Sequence, residues 1–336
     1  MHEQMTARER FFAHMNDEDA DRPSVINPVS VATTESITAL GLDYPSVHLS
    51  AEDTAALACY SYEKLGFDSI MPYFSVILEA AALGATMKWG SNQDMPTVRS
   101  RVYSEPDEIK IPKDYFDRPA IRSLVDSVKI ISKRYGDDAL VIGKAIGPWT
   151  LSLNTYGHEN TLIDTIDDRE KLAAIFRALN EFTKVLIEAQ LEAGADMVTI
   201  PDHTTRNLIG PKVYDDFIKP LHVELNELFP GKLILHCCGF TEDRIELFAE
   251  AGFPLYHFES ANDISNALKL ANGMKFTGCV SNISVLLEGS REDVYNQVND
   301  IVSHGVYLVS PECAVPLRTP NANLKAISDC VKGVDL

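Results

Sequence analysis

Nowhere in the chain do apolar residues run on for the roughly 18 positions that a bilayer-spanning helix needs, so a membrane partner is not expected. The opening stretch, MHEQMTARERFFAHMNDEDADRP, lacks an apolar core followed by a small-residue cleavage site. The cytoplasm is therefore the expected location. Positive charge is also short: 30 Lys and Arg stand against 49 Asp and Glu, a formal net charge of −19. A phosphate backbone must be met by a surplus of basic side chains, and no basic run of that kind occurs, which excludes nucleic acid as the expected partner. Cysteine is sparse, with six in 336 residues, at 59, 237, 238, 279, 313 and 330. These spacings make no disulfide scaffold, and in a reducing compartment the clustered ones read as metal ligands before bridges. No G-x-G-x-x-G turn follows an early strand, which weighs against an open doubly wound sheet.

What the chain does have is repetition. YEKLGFDSIMPY (62–73), LEAGADMVTIP (191–201), FAEAGFPLYHFE (248–259) and VSHGVYLVSPE (302–312) share one design. Each is the end of an amphipathic helix, then a Gly suited to a left-handed cap, then a short β-branched or aromatic run. With RPSVINPVSV (22–31), ALVIGKAIGP (139–148), GKLILHC (231–237) and GMKFTGCVS (273–281), the tally is about eight strands with helices between most of them. That is the count of a (β/α)8 TIM barrel, which takes roughly 250 residues. One barrel domain over residues 1–336 is expected, with the excess in an N-terminal helix near 5–15 and an irregular, Pro-bearing segment around 84–119.

Barrel enzymes keep their chemistry at the C-terminal ends of the strands. Asp202, His236 to Cys238, Glu259, Ser281, Asn282, Glu312 and Cys313 all fall at or just past strand ends on this reading. Strand side chains alternate faces, so His236 and Cys238 point one way and Cys237 the other. Cys313 follows the last strand and supplies a third donor at the same rim. One imidazole and two thiolates form the mixed N/S set that zinc prefers, and three protein ligands leave a fourth position open, as in catalytic sites. A bulge at the strand end would exchange Cys237 for Cys238, and buried thiols or a redox pair are the metal-free alternatives. Cys59, Cys279 and Cys330 read as small buried hydrophobes.

Specific wording goes further. HCCG (236–239), TGCVSN (277–282) and SPECAVPLRTPNANLKAI (310–327) resemble the zinc-dependent methylcobamide:coenzyme M methyltransferases of the uroporphyrinogen decarboxylase superfamily, with their H-x-C-G, G-N-V/L and G-C-G-I…T-P-x-x-N-L segments. TARERFFAHMNDEDADRPSV near the start, SAEDTAALACYSYEKLGFDSIMPYFSVILEAAALGATMKWG after it and AIGPWTLSL (145–153) are similar to the family's earlier segments, so the likeness covers nearly the whole chain. It implies a (β/α)8 barrel and zinc held by His236, Cys238 and Cys313. Glu259 matches an acidic position of the relatives and is a candidate fourth ligand. Asp202 matches the acid of their A-x-x-D-P stretch, to touch substrate or to fix a loop. The departures are Phe240 for the usual Asn, Cys279 for the Asn of G-N-V, and Glu312-Cys313-Ala314 for Gly-Cys-Gly. All surround the pocket, so they bear on the acceptor's identity.

The resemblance also implies the chemistry. Two thiolates and a neutral imidazole cancel the charge of Zn²⁺, so a coordinated substrate thiol is deprotonated yet stays nucleophilic. Its sulfur attacks the methyl group of a methylcorrinoid and leaves Co(I) behind. No D-x-H-x-x-G corrinoid signature occurs, so a separate corrinoid carrier protein is the expected partner and a small thiol, coenzyme M, the expected acceptor. Gly147, Pro148, Ser281 and the segment HTTRNLIGP (203–211) are candidate cofactor contacts, and Arg206 is a candidate for an anionic substrate tail. Trp149 belongs to the same turn but also suits a core or rim position. Homo-oligomer formation is left open. Three other readings compete: a methyltransferase that demethylates a small donor, a zinc-storing or corrinoid-docking protein, and a uroporphyrinogen decarboxylase. NPVSVATTESIT (27–38) has no Arg where the decarboxylases carry an Arg-rich motif.

Overall fold

In the computed structural model, residues 4–336 are described. Eight strands form the centre: β1 (Ser24–Val25), β2 (Ser69–Ile70), β3 (Leu140–Lys144), β4 (Met197–Pro201), β5 (Leu233–His236), β6 (Leu255–His257), β7 (Lys275–Val280) and β8 (Leu308–Pro311). They lie in the order β1-β8-β7-β6-β5-β4-β3-β2, and every ladder is parallel. The remaining seam, β1 to β2, closes through Asp68. Its backbone N–H donates to Val25 O at 2.6 Å, and its carboxylate accepts from Val25 N at 2.8 Å. Ser69 Oγ accepts from Asn27 N at 2.7 Å, one step further along. The fold is a (β/α)8 TIM barrel.

The sequence explains the layers. All five positions of β3 and of β4 are buried, as expected of parallel strands with side chains inside and helices outside. Arg169–Glu192, the long helix between β4 and its predecessor, starts at an Asp168 cap and buries Leu172, Ile175, Phe176, Leu179, Phe182 and Leu186, the 3.6-residue stripe of a helix lying on a sheet. Gly194 and Gly305, in two of the repeated units, have φ of 103° and 86°, the left-handed turn that lets a helix stop and the next strand begin.

The N-terminal helix, Ala7–Met15, covers the bottom of the barrel. There Arg10 and Arg22 both bond the buried Asp68, at 2.9 and 2.8 Å, and Arg10 also bonds Asp21 at 2.6 Å. The carboxylate that closes the barrel seam therefore also anchors the N-terminal addition. The irregular segment holds an antiparallel pair, Met87–Lys88 with Thr97–Val98, and two 3-10 turns, Pro106–Glu108 and Tyr115–Asp117. Met95 and Pro96, just before the second strand of that hairpin, reach the mouth of the barrel and form part of its wall.

Candidate metal centre

β5 delivers His236 at its last position, and the chain then turns at Gly239, whose φ of 80° and close approach to Thr205 leave no room for a side chain. The turn brings Cys238 back over the strand end. His236 Nε2 lies 2.9 Å from Cys238 Sγ, Cys238 Sγ lies 3.0 Å from Cys313 Sγ, and Cys313 Sγ lies 3.5 Å from His236 Nε2. The sulfurs are too far apart for a disulfide of about 2.05 Å. Zinc binds sulfur at about 2.3 Å and imidazole nitrogen at about 2.0–2.1 Å, so one ion reaches all three atoms. Among the described residues the group of mutually close donors consists of these three.

The electrostatics suit a cation. Burial, then the charges of His257, His203 and Lys144, hold His236 well below its ordinary 6.5, so its imidazole is neutral and free to ligate. Contact with Cys313, then burial and the nearby Glu259 and Cys237, push the Cys238 thiol well above the usual range. A bound cation would displace that proton and relieve the crowding of donors. Cys237 points away: it is fully buried, its Sγ lies 3.8 Å from Thr204 Oγ1, and burial pushes its thiol up to about 12. Cys59 and Cys279 are likewise buried, and Cys330 is half-buried against the core.

Two further residues support the cluster, and the first, His257, was not among the sequence candidates. His257 lies under His236, the rings stacked at 4.6 Å between centroids and 30° between planes. Its Nε2 bonds Pro311 O at 2.7 Å, and burial lowers its pKa to about 4, so the neutral ring donates that hydrogen bond. One side chain thus braces both His236 and the strand that carries Cys313. The second is Glu312. Its Oε1 accepts from Asn282 N at 2.7 Å and its Oε2 from Ser260 N at 3.1 Å and from the Ser260 hydroxyl. The loops after β6, β7 and β8 are tied at the residue before Cys313. The signal for His257 was its place two residues before Glu259 on an alternating strand.

The donors line a cavity of about 370 Å³ at the C-terminal end of the barrel. Val29, Phe74, Val76, Met95 and Leu153 give it apolar walls, while Lys144 and His203 contribute polar groups. Burial lowers the pKa of Lys144 to about 7, against the opposing pull of Glu79, Cys313 and Cys238. Glu259 stands beside Cys238 but outside the three-donor group. Its Oε2 accepts from Gly239 N at 2.6 Å, and burial, only partly offset by that bond, raises its pKa.

The other sequence candidates do not meet there. Asp202 is 1% exposed and lines no part of the cavity. Its Oδ1 accepts from Thr150 N at 2.7 Å and its Oδ2 lies 3.0 Å from His222 Nε2. Gly147 and Pro148 are buried behind it, and a Cβ on Gly147 would collide with the Asp202 carboxylate. Trp149 is a core residue, its ring 5.7 Å from that of Phe176. Ser281 precedes the Asn282–Leu287 turn, and its Oγ accepts from Ser284 Oγ at 2.9 Å. Arg206 lies over the Phe240 ring at 5.1 Å in a separate surface groove with Glu242 and Asp243. None of Gly147, Pro148, Ser281 and Arg206 lines the cavity that holds the three donors.

Residues 6–334 match the family described as uroporphyrinogen decarboxylase (URO-D). The chain belongs to the URO-D family. Within it, the chain is 27% identical over 333 residues to the methylcobamide:CoM methyltransferase MtbA of Methanosarcina acetivorans, a match covering 97% of this chain and 98% of that protein. It is also 27% identical over 324 residues to a methylated-thiol–coenzyme M methyltransferase of Methanosarcina mazei, covering 96% and 88%. Among solved structures, a methyltransferase from Methanosarcina mazei superposes with a TM-score of 0.94 at 22% identity, covering 98% of this chain and 99% of that one, so the two share one fold. Among the described residues no helix is long and apolar enough to cross a membrane.

Proposed function

We propose that this URO-D family barrel is a zinc-dependent methyltransferase that moves a methyl group from a methylated corrinoid, held by a carrier protein, to a small thiol, coenzyme M. The reading is carried by one observation, the convergence of His236, Cys238 and Cys313 within 3.5 Å at the floor of an apolar cavity. The full-length relatives named as coenzyme M methyltransferases support the choice of reaction.

Bound zinc supplies a site at which a thiol loses its proton at neutral pH. The chain's own residues do the rest. His236 gives a neutral nitrogen, Cys238 and Cys313 give two thiolates, and His257 and Glu312 keep the three in register. Glu259, whose carboxylate accepts from the Gly239 N–H beside Cys238, would receive the proton that an arriving thiol gives up. The apolar walls exclude water, which would otherwise solvate the anionic sulfur and blunt it. That sulfur forms the new S–CH₃ bond as the Co–CH₃ bond breaks, its electron pair staying on cobalt as Co(I). The products are a methyl thioether and the reduced corrinoid.

A decarboxylase reading is not favoured. A substrate with many carboxylates needs several cations, and Lys144 is the only Lys or Arg among the cavity-lining residues. The direct test is to mix zinc-loaded protein with methylcobalamin and coenzyme M. Loss of the methyl–cobalt absorption with formation of methylated coenzyme M is expected, and a spectrum that holds steady would rule the reading out.

A further inference from the structure

Lys144 ends β3 with its side chain inside the barrel and is 2% exposed. It lines the same cavity as the three donors. Its Nζ lies 4.3 Å from the centre of the Tyr73 ring and makes no hydrogen bond or ion pair among the described residues. The buried carboxylate in its field, Glu79, is already engaged: Tyr73 OH donates to Oε2, and Ile146 N donates to Oε1 at 2.8 Å. An ammonium withdrawn from water without a direct counter-ion is costly, and the cost is recovered when a ligand brings the opposite charge. The cavity that Lys144 shares with the donors is also lined by Val29, Phe74 and Val76, apolar surfaces suited to a short methylene spacer. Arg206, the cation that the sequence suggested for an anionic tail, faces a different groove.

We propose that Lys144 recognises the anionic tail of the acceptor, so that the cavity selects short thiols bearing a sulfonate or carboxylate. The inference rests on the thiol reading of the site and assigns the residue that reads the acceptor's acid end. The sulfur goes to the His236–Cys238–Cys313 group while the acid end makes a charge-assisted hydrogen bond to Nζ. Recognition at both ends fixes the spacer's length as well as its charge.

The experiment measures binding by calorimetry on zinc-loaded protein with three thiols of equal spacer length, 2-mercaptoethanesulfonate, 2-mercaptoethanol and 2-mercaptoethylamine. The wild type is expected to bind the sulfonate at least about tenfold more tightly than the alcohol, and the amine most weakly. Lys144→Met is expected to bring sulfonate and alcohol to within about threefold of each other, and Lys144→Arg to keep part of the preference, with zinc per chain equal in all three proteins. A wild type without preference, a ratio that survives Lys144→Met, or an equal loss for all thiols would overturn the inference. Methyl transfer is followed separately. Preference for the acid that depends on Lys144 without any methyl transfer sinks the proposed reaction and leaves this inference; transfer with an unmoved ratio does the reverse.

Discussion

His236, Cys238 and Cys313 differ from the chain's other cysteines and histidines in pointing at one another. Truncating any one of them to Ala leaves two donors, and zinc retained after gel filtration with a chelator is expected to fall below about a tenth of an equivalent per chain. Cys237→Ala, which removes a thiol held at about 12 in the core, is expected to leave metal content at the wild-type level. Metal analysis by emission spectroscopy distinguishes the four variants. The pH dependence has a definite sign. Cys238 is held above the usual thiol range and is protonated at neutral pH in the polypeptide alone, whereas His236 is held below 6.5 and has no proton to lose there. Zinc binding therefore expels the Cys238 proton, and apparent affinity should rise with pH, by about tenfold per unit for the proton released, between about pH 6 and 8. Competition with a chromophoric chelator reads this; a flat profile would mean that Cys238 ionises before the metal arrives.

The loops at the ends of β6, β7 and β8 explain how donors 75 residues apart in sequence hold their positions. Glu312 ties Ser260 and Asn282 to the Cys313 loop. Glu312→Ala is expected to weaken zinc binding about 10- to 100-fold while the far-ultraviolet dichroism stays that of wild type, since a supporting contact is lost and no element is. These elements were differently legible in the sequence. Strand positions followed from helix ends, cap glycines and short buried runs, all local signals, and H-x-C placed His236 and Cys238 on one side because strand side chains alternate. The direction of Asp202 was not legible. It stands one residue past a strand end, close to His236 in register, but its carboxylate is claimed by Thr150 N, 52 residues before it, and by His222 on a later helix. Lys144 was passed over inside GKAIGP, although a lone Lys in a strand covered on both sides is itself a signal. Arg206 looked suited to an anion, and only tertiary packing turned it onto Phe240.

At the level of the molecule, the two ends of the barrel divide the labour: the bottom holds the structure closed and the top holds the reactive groups. Asp68 closes the β1–β2 seam and is shared by the buried Arg10 and Arg22, so Asp68→Ala removes a carboxylate common to both guanidiniums. Breaking such a buried set costs about 3–5 kcal/mol, to be read from urea unfolding, with zinc content per folded chain unchanged. A loss under about 1 kcal/mol would show that the N-terminal helix does not depend on this junction. The claim on which the functional account turns is that a zinc ion at the top of the barrel takes the acceptor's sulfur as its own ligand. X-ray absorption at the zinc edge tests it most directly: the expected result is two sulfurs with the rest nitrogen or oxygen in the resting protein, and three sulfurs once coenzyme M is added. Protein that binds no zinc, or a zinc shell that coenzyme M leaves unaltered, would contradict the account.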